Sequence, residues 1–245
     1  MPEDYYQPQD QQFEPAVARQ ETLGHYTAKT FGIMFLGLLV TFALAAYLSM
    51  TFNGQFLLLR ALYAFPYAHL VILVAQLVVV IAMSAMIQKL SPAAATACFF
   101  VYSVLTGLTF SVIFLAYEVT SLALVFGFTA LYFGGMAVFG YLTHIDLSRI
   151  RTVLMGGLIA IIIANLLMLL IPGLQVMDRV LCTIGIIIFL GFTAYDTQKI
   201  KEFYYGLAGD EAMLAKASIF SALQLYLDFI NLFLYLLRFL GNKRR

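Results

Sequence analysis

The sequence predicts an all-α integral membrane protein with seven transmembrane helices, and three observations point there. Of the 245 residues, 62% are apolar and only 11% charged, against roughly 45–50% and 25% in an ordinary soluble domain. A surface with so few charges would expose apolar patches too large for a soluble monomer. Beyond Lys29 the charge-free stretches follow one another, at 30–59, 61–88, 90–117, 119–145, 152–177 and 180–195. Alternating-strand periodicity is absent, which argues against a β-barrel. A cytosolic enzyme, a disulfide scaffold and a disordered regulator are thereby excluded. A net charge of +1 supplies no field for gathering nucleic acid.

Residues 1–28 read as a polar, disordered tail. Five of the 13 acids (Glu3, Asp4, Asp10, Glu14, Glu21) lie there beside three prolines and a run of glutamines. No basic segment leads into an apolar one, so the tail does not read as a cleaved signal peptide.

Residues 29–241 form the membrane domain, and 242–245 a basic end. A hydrocarbon core of about 30 Å takes roughly 20 helical residues. Trimming each stretch to its apolar part gives spans near 31–52, 67–88, 93–117, 121–143, 152–171 and 179–198. Pro66, Pro92 and Pro172 all fall at span edges, where proline starts or ends a helix without breaking it. Tyrosines near the ends (Tyr63, Tyr67, Tyr117, Tyr204) suit an interfacial belt in a chain without Trp.

The seventh segment, about 215–240, differs in kind. Ser221, Gln224, Asp228, Asn231, Tyr235 and Arg238 recur at intervals of three and four, so they form one stripe along a helix. Such a stripe cannot face lipid. It either stitches the helix to its neighbours or lines a pathway.

Counting positive charges orients the chain. With the N-terminus inside, Arg19, Lys29, Lys89, Arg149, Arg151, Lys199, Lys201 and Lys216 are cytoplasmic, while Arg60 and Arg179 are not. The bias predicts a cytoplasmic N-terminus. Arg238, Lys243, Arg244 and Arg245 pull the other way if segment seven crosses, and reinforce the bias if it re-enters. Its length permits crossing, so both paths stay open.

Asp228 is the most anomalous residue, 12 positions after Lys216 and 10 before Arg238, which puts it near mid-membrane. A carboxylate there costs on the order of 3 kcal/mol unless protonated or paired. Asp196 is the second, and if its helix continues towards Gly206 the two carboxylates meet at similar depth. Two carboxylates in low dielectric cannot both ionise cheaply, so they titrate as a unit. Such a pair is a proton sensor, a divalent-cation ligand, or a general acid and base. The plainer alternative is that Asp196 caps its helix among Lys199 and Lys201. An intramembrane aspartyl protease would carry Tyr-Asp on one helix, which Tyr195 and Asp196 match. It would also need Gly-x-Gly-Asp on the next, where this chain has Leu225, Tyr226, Leu227 and Asp228. An enzyme is therefore not expected.

Weaker signals read as structural. His144, Asp146, Arg149 and Arg151 make a solvated turn, and His69 an interfacial position. Cys98 and Cys182 lack metal-ligand or CxxC spacing and read as buried thiols. Ala130-xxx-Gly134 and Gly156-xxx-Ala160-xxx-Ala164 offer small faces for helix contact. No phosphate loop or dinucleotide fingerprint is present, and no bound cofactor is expected.

The segments GFTAYDTQKIK at 191–201 and ALQLYLDFINLFLYLLRFLG at 222–241 closely resemble the two signature segments of the transmembrane Bax inhibitor motif family. SAMIQKL at 84–90 and YSVLTGLT at 102–109 look like its bacterial, inner-membrane branch. The resemblance runs from about residue 20 to 241. It implies a fold whose last helix is central and wrapped by the other six. It also implies a pH-sensitive Ca²⁺ leak gated by an aspartate pair, which falls on Asp196 and Asp228. Ser221, Gln224 and Asn231 would line the path, with Ca²⁺ as permeant ion and the two carboxylates as its ligands. A basic latch at the end of helix two falls on Lys89, and a glutamate of some members is Gln76 here. The alternative is a non-conducting regulator that binds a membrane-anchored AAA protease or another membrane complex. Deleting residues 2–24 would separate the two, abolishing regulation and sparing flux.

Overall fold

The computed structural model describes residues 21–50, 60, 64–65, 67–86, 88–171 and 173–244. Most of the predicted tail, with Arg19, Tyr63, Pro66, Pro172 and Arg245, lies outside them. Among the described residues seven helices are long and apolar enough to cross a membrane. They are α1 (Leu23–Ser49), α2 (Ala68–Met86), α3 (Pro92–Ala116), α4 (Val119–Leu142), α5 (Arg151–Leu170), α6 (Asp178–Gly206) and α7 (Glu211–Leu240). The chain is an integral membrane protein.

Local chemistry sets the helix starts. Thr22 caps α1 by accepting from the His25 amide at 3.3 Å, so residues 23–28 are helical and the tail stops short of the predicted boundary at 28. Ser91 accepts from the Ala94 amide at 3.2 Å, with Pro92 in the first turn of α3 where its missing N–H costs nothing. Asp210 accepts from the Met213 amide at 2.9 Å and opens α7. The turn before it needs Gly209, whose φ of +98° strains any other residue. α6 runs eight residues past its predicted end, because Asp196, Lys199, Lys201 and Glu202 interrupt the apolar run without interrupting helix propensity.

In α7, 67% of the most apolar 18-residue stretch is buried inside the bundle, and in α6 56%; α2 and α5 bury only 11% and 6%. α7 packs along α6, α1, α4 and α3. α2 leans chiefly on α3 and α5 on α6. The last helix is therefore interior and packs chiefly against these four neighbours. Outward faces are apolar, as Leu73, Leu77 and Ile81 of α2 and Ile159, Ile163 and Leu170 of α5 show.

Lipid tails are as apolar as leucine, so close packing and hydrogen bonds hold these helices together. The α1–α3 contact uses Gly37, which receives the Phe99 ring, and Gly107, which receives Leu44. Thr41 ties three helices: its hydroxyl donates to Ser103 O of α3 at 2.8 Å and is hydrogen-bonded to the Tyr226 hydroxyl of α7 at 2.6 Å. Of the small faces expected from sequence, Gly134 and Gly156 have open space where a Cβ would stand; close approach occurs instead at Gly140, Gly157, Gly185 and Gly191.

The path of the last segment is settled by its ends. The Tyr204 hydroxyl donates to Glu21 O at 2.6 Å, so the α6–α7 turn sits with the start of α1. At the other end Glu118 N donates to Asn242 O at 3.1 Å and Arg244 N to Ala116 O at 3.0 Å. α7 crosses the bundle completely and leaves Glu21 and Asn242 at opposite ends of it.

Candidate functional site

Asp196 and Asp228 are both buried, each 5% exposed. α6 and α7 run antiparallel and bring the two carboxyls within hydrogen-bonding reach of each other. Oδ2 of Asp228 has no partner among the described residues. One turn towards the α6–α7 end, Gln224 Oε1 is likewise buried and unpartnered, and beyond it Ser221 Oγ. Three oxygens along one face of α7 thus lack a donor, although buried polar groups are normally satisfied. Asn231 behaves differently: its amide donates back to Leu227 O at 2.7 Å, within α7.

The rest of the polar stripe closes the other end. The Tyr235 hydroxyl accepts from Asn165 Nδ2 of α5 at 3.5 Å, and Arg238 donates to Asn165 Oδ1 at 3.0 Å. Arg238 also forms an ion pair with Asp178 at the start of α6. Gly185 makes room for Tyr235, since a Cβ there would stand 2.7 Å from the ring. Six stripe residues therefore divide into an unpartnered half with the carboxyl pair and a stitched half beyond it. The stitching reading holds over the half that ends in Tyr235 and Arg238.

Lys89 is not brought to the pair. It lies exposed in the turn after α2, because α2 leans on α3 and leaves that turn at the edge of the bundle. Lys216 is the buried cation nearby; its Nζ donates to Gln88 O at 2.9 Å and caps the end of α2. The cations whose charge reaches Asp196 are Lys199, one turn on, and Arg151, at the start of α5. Gln76 donates to Thr106 Oγ1 at 3.2 Å and carries no acid into the interior.

Two contacts that periodicity did not reveal anchor the Asp196 helix. Gln198 accepts from Leu147 N at 2.9 Å and donates to Ile145 O at 2.8 Å, clasping the α4–α5 loop. Lys201 Nζ donates to Tyr141 O at 2.6 Å. Their signal in the sequence is only that polar residues one turn apart flank Asp196, without indicating the partner. Asp146 in that loop is held below the usual carboxylate range by the Ser148 hydroxyl and amide, with Arg149 adding to the effect. Cys98 and Cys182 are free thiols, and that of Cys182 donates to Asp178 Oδ2 at 3.9 Å.

Among the described residues no group of three or more His, Cys, Asp or Glu side chains is arranged to hold a metal ion. Asp196 and Asp228 offer two carboxyls and, on the same face, the neutral oxygens of Gln224 and Ser221. That donor set is poorer than the six to eight oxygens of a resident Ca²⁺ site.

A family profile described as "Inhibitor of apoptosis-promoting Bax1" matches residues 23–245. The Inner membrane protein YbhL of Escherichia coli is 43% identical over 220 residues, 89% of this chain and 92% of that protein. An uncharacterized protein of Borreliella burgdorferi is 39% identical over 232 residues, 92% of this chain and 96% of its own length. Another, from Deinococcus radiodurans, is 36% identical over 233 residues, covering 94% and 96%. The match spans all seven helices and both aspartates, and the chain belongs to the Bax inhibitor family.

Proposed function

We propose that this protein is a pH-sensitive, calcium-permeable leak channel of the bacterial inner membrane, with its N-terminus in the cytoplasm. Its path follows the unpartnered face of α7 and is gated by Asp196 and Asp228. It performs no covalent chemistry.

The observation that carries this reading is the pair itself: two carboxyls within reach of each other, buried between the two most interior helices. A shared proton lets them hold α6 and α7 together. When that proton leaves, two unit charges roughly 4 Å apart repel by about 4 kcal/mol at an effective dielectric constant near 20. Separation of α6 from α7 relieves the repulsion, with Lys199 and Arg151 drawing the Asp196 carboxylate towards the α4–α5 end. Acid therefore closes the path and alkali opens it. Hard cations take oxygen ligands, and the oxygens of Asp228, Gln224 and Ser221 stand in file along the helix. A sparse donor set suits an ion in transit, which must leave as readily as it enters.

The test is Ca²⁺ entry into liposomes holding the purified protein, followed with a trapped dye from acid to alkaline pH. Wild type should leak faster than empty liposomes, with the leak falling as pH falls. Asp196→Asn and Asp228→Asn should flatten that profile. A wild-type leak no greater than that of empty liposomes would remove the channel. An unchanged profile in both variants would remove the pair from the gate.

A further inference from the structure

A cavity of about 610 Å³ opens at the end of the bundle that carries the C-terminus. Its floor is aromatic, built from Phe42 of α1, Phe114 of α3, Phe126 of α4 and Phe233 of α7. Phe126 and Phe233 stand edge-on to Phe42 with ring centroids 5.0 and 5.5 Å away, which fixes the shape of the floor. Among the described residues one charged group lines it, Arg244.

Arg244 is held in place by its backbone. The segment after α7 is stitched across the α3–α4 turn: Arg244 N donates to Ala116 O, Glu118 N to Asn242 O, and Asn242 N to Ser121 Oγ. Tyr117 and Lys243 form a β-bridge between these stitches. The Arg244 side chain is exposed and joins none of the ion pairs among the described residues. The cavity lies between the last turns of α1 and α3 and the first turn of α4, so its mouth is at the ends of the spans and its floor below them. Apolar depth under a free guanidinium at headgroup level matches the two parts of a lipid in the right order. Arginine grips phosphate oxygens in a fixed fork, and Lys243 beside it adds charge.

We propose that this cavity binds an anionic phospholipid, one acyl chain among the four phenylalanines and the phosphate on Arg244. The proposal does not depend on whether the aspartate pair conducts ions. Phe233 lies five residues after Asp228 on α7, so the bound chain props the helix that carries the pair.

The chain contains no Trp, so a single reporter introduced by Phe114→Trp is read against a dark background. A control reporter, Leu142→Trp, sits on an exposed position towards the other end of the bundle. The full-length protein is reconstituted with increasing fractions of phosphatidylglycerol or phosphatidylcholine brominated on the acyl chain, and quenching is measured. Each basic residue near a lipid surface is worth about 1 kcal/mol, or roughly fivefold. The reporter at position 114 should therefore be quenched at about fivefold lower mole fraction of the anionic lipid, and the control equally by both. Arg244→Gln should abolish the preference, Arg244→Lys should keep most of it, and Ala123→Phe, at an exposed position lining the cavity, should blunt quenching at 114 alone. A preference that is absent in the parent, or that survives Arg244→Gln, overturns the proposal. So does a reporter at 114 that neither lipid reaches while the control is quenched, since the cavity would then be filled by protein.

Discussion

Gly140 of α4 rests directly on the main chain of α6 at Ala194, two residues before Asp196, so that any Cβ at 140 would overlap the Ala194 carbonyl. Backbone cannot rotate aside as a side-chain tip can. Gly140→Ala should push α4 from α6 and cost about 1–3 kcal/mol, the usual range for overpacking. Gly134, on the same helix, has open space where its Cβ would stand. Gly134→Ala should be neutral, or stabilising by up to about 1 kcal/mol, because alanine is the better helix former. Unfolding of both variants in mixed micelles measures the contrast, and equal losses would contradict this packing.

Arg238 joins Asp178 of α6 and Asn165 of α5 in one half-exposed cluster. Arg238→Gln should cost about 1–3 kcal/mol, the range for leaving partners of a charged hydrogen bond unsatisfied. An exposed ion pair by itself is worth only about 0–1 kcal/mol, so the two accounts differ measurably. A double-mutant cycle of Arg238→Gln with Asn165→Ala should show coupling. Strict additivity would mean that the Asn165 bond contributes nothing.

The spans were legible in the sequence because lipid penalises charge, and gaps between charges mark helices directly. The aspartate pair was legible for the same reason: counting Asp228 from Lys216, and Asp196 from a helix that continues towards Gly206, placed both carboxylates at similar depth. What crosses between helices was not legible. The stripe on α7 predicted that Arg238 faces protein, but nothing in its spacing indicated Asn165 and Asp178 as partners. The family pattern points to Lys89 as a latch, whereas the lean of α2 onto α3 leaves that residue exposed. Small-residue spacing pointed to Gly134 and Gly156, whereas close approach depends on which helix lies opposite, as at Gly140 and Gly185.

Thr41 holds α1 to α3 and α7 at once. Tyr226→Phe removes one hydroxyl and leaves Thr41 bonded to Ser103 O, so it should cost about 1 kcal/mol. Thr41→Val leaves the Tyr226 hydroxyl buried without that partner and should cost more, up to about 3 kcal/mol. The order of the two losses in a denaturation series is the check; a larger loss for Tyr226→Phe would argue against this bonding.

Asp146 gives a pH dependence outside the membrane. Bonds from Ser148 hold its carboxyl below the usual range, so the folded loop prefers the ionised form. For a depressed carboxyl the stabilisation is present above the unfolded value and disappears as pH falls through the folded one. Hydrogen exchange at the Ser148 amide, which Asp146 Oδ1 receives at 3.0 Å, should accelerate in acid beyond the intrinsic chemical trend. Asp146→Asn should remove that excess. Protection that is unchanged in acid would show that the loop is held by Gln198 alone.

Positive charges alone favoured a re-entrant seventh segment, yet α7 runs 30 residues and ends against the α3–α4 turn. Orientation is fixed mainly by the earlier spans, so Lys243 and Arg244 are carried across with the helix that bears them. Single cysteines test this in intact cells, with Cys98 and Cys182 replaced by alanine. Ala208→Cys lies in the exposed α6–α7 turn and Asn242→Cys beyond α7. An impermeant maleimide should label position 242 from outside and reach position 208 only after the membrane is opened. The start of α1 shares the face of position 208, because Tyr204 is bonded to Glu21. Thr22→Cys should follow the same pattern as Ala208→Cys. Labelling of 208 and 242 from one side would restore re-entry and undo the complete crossing of α7.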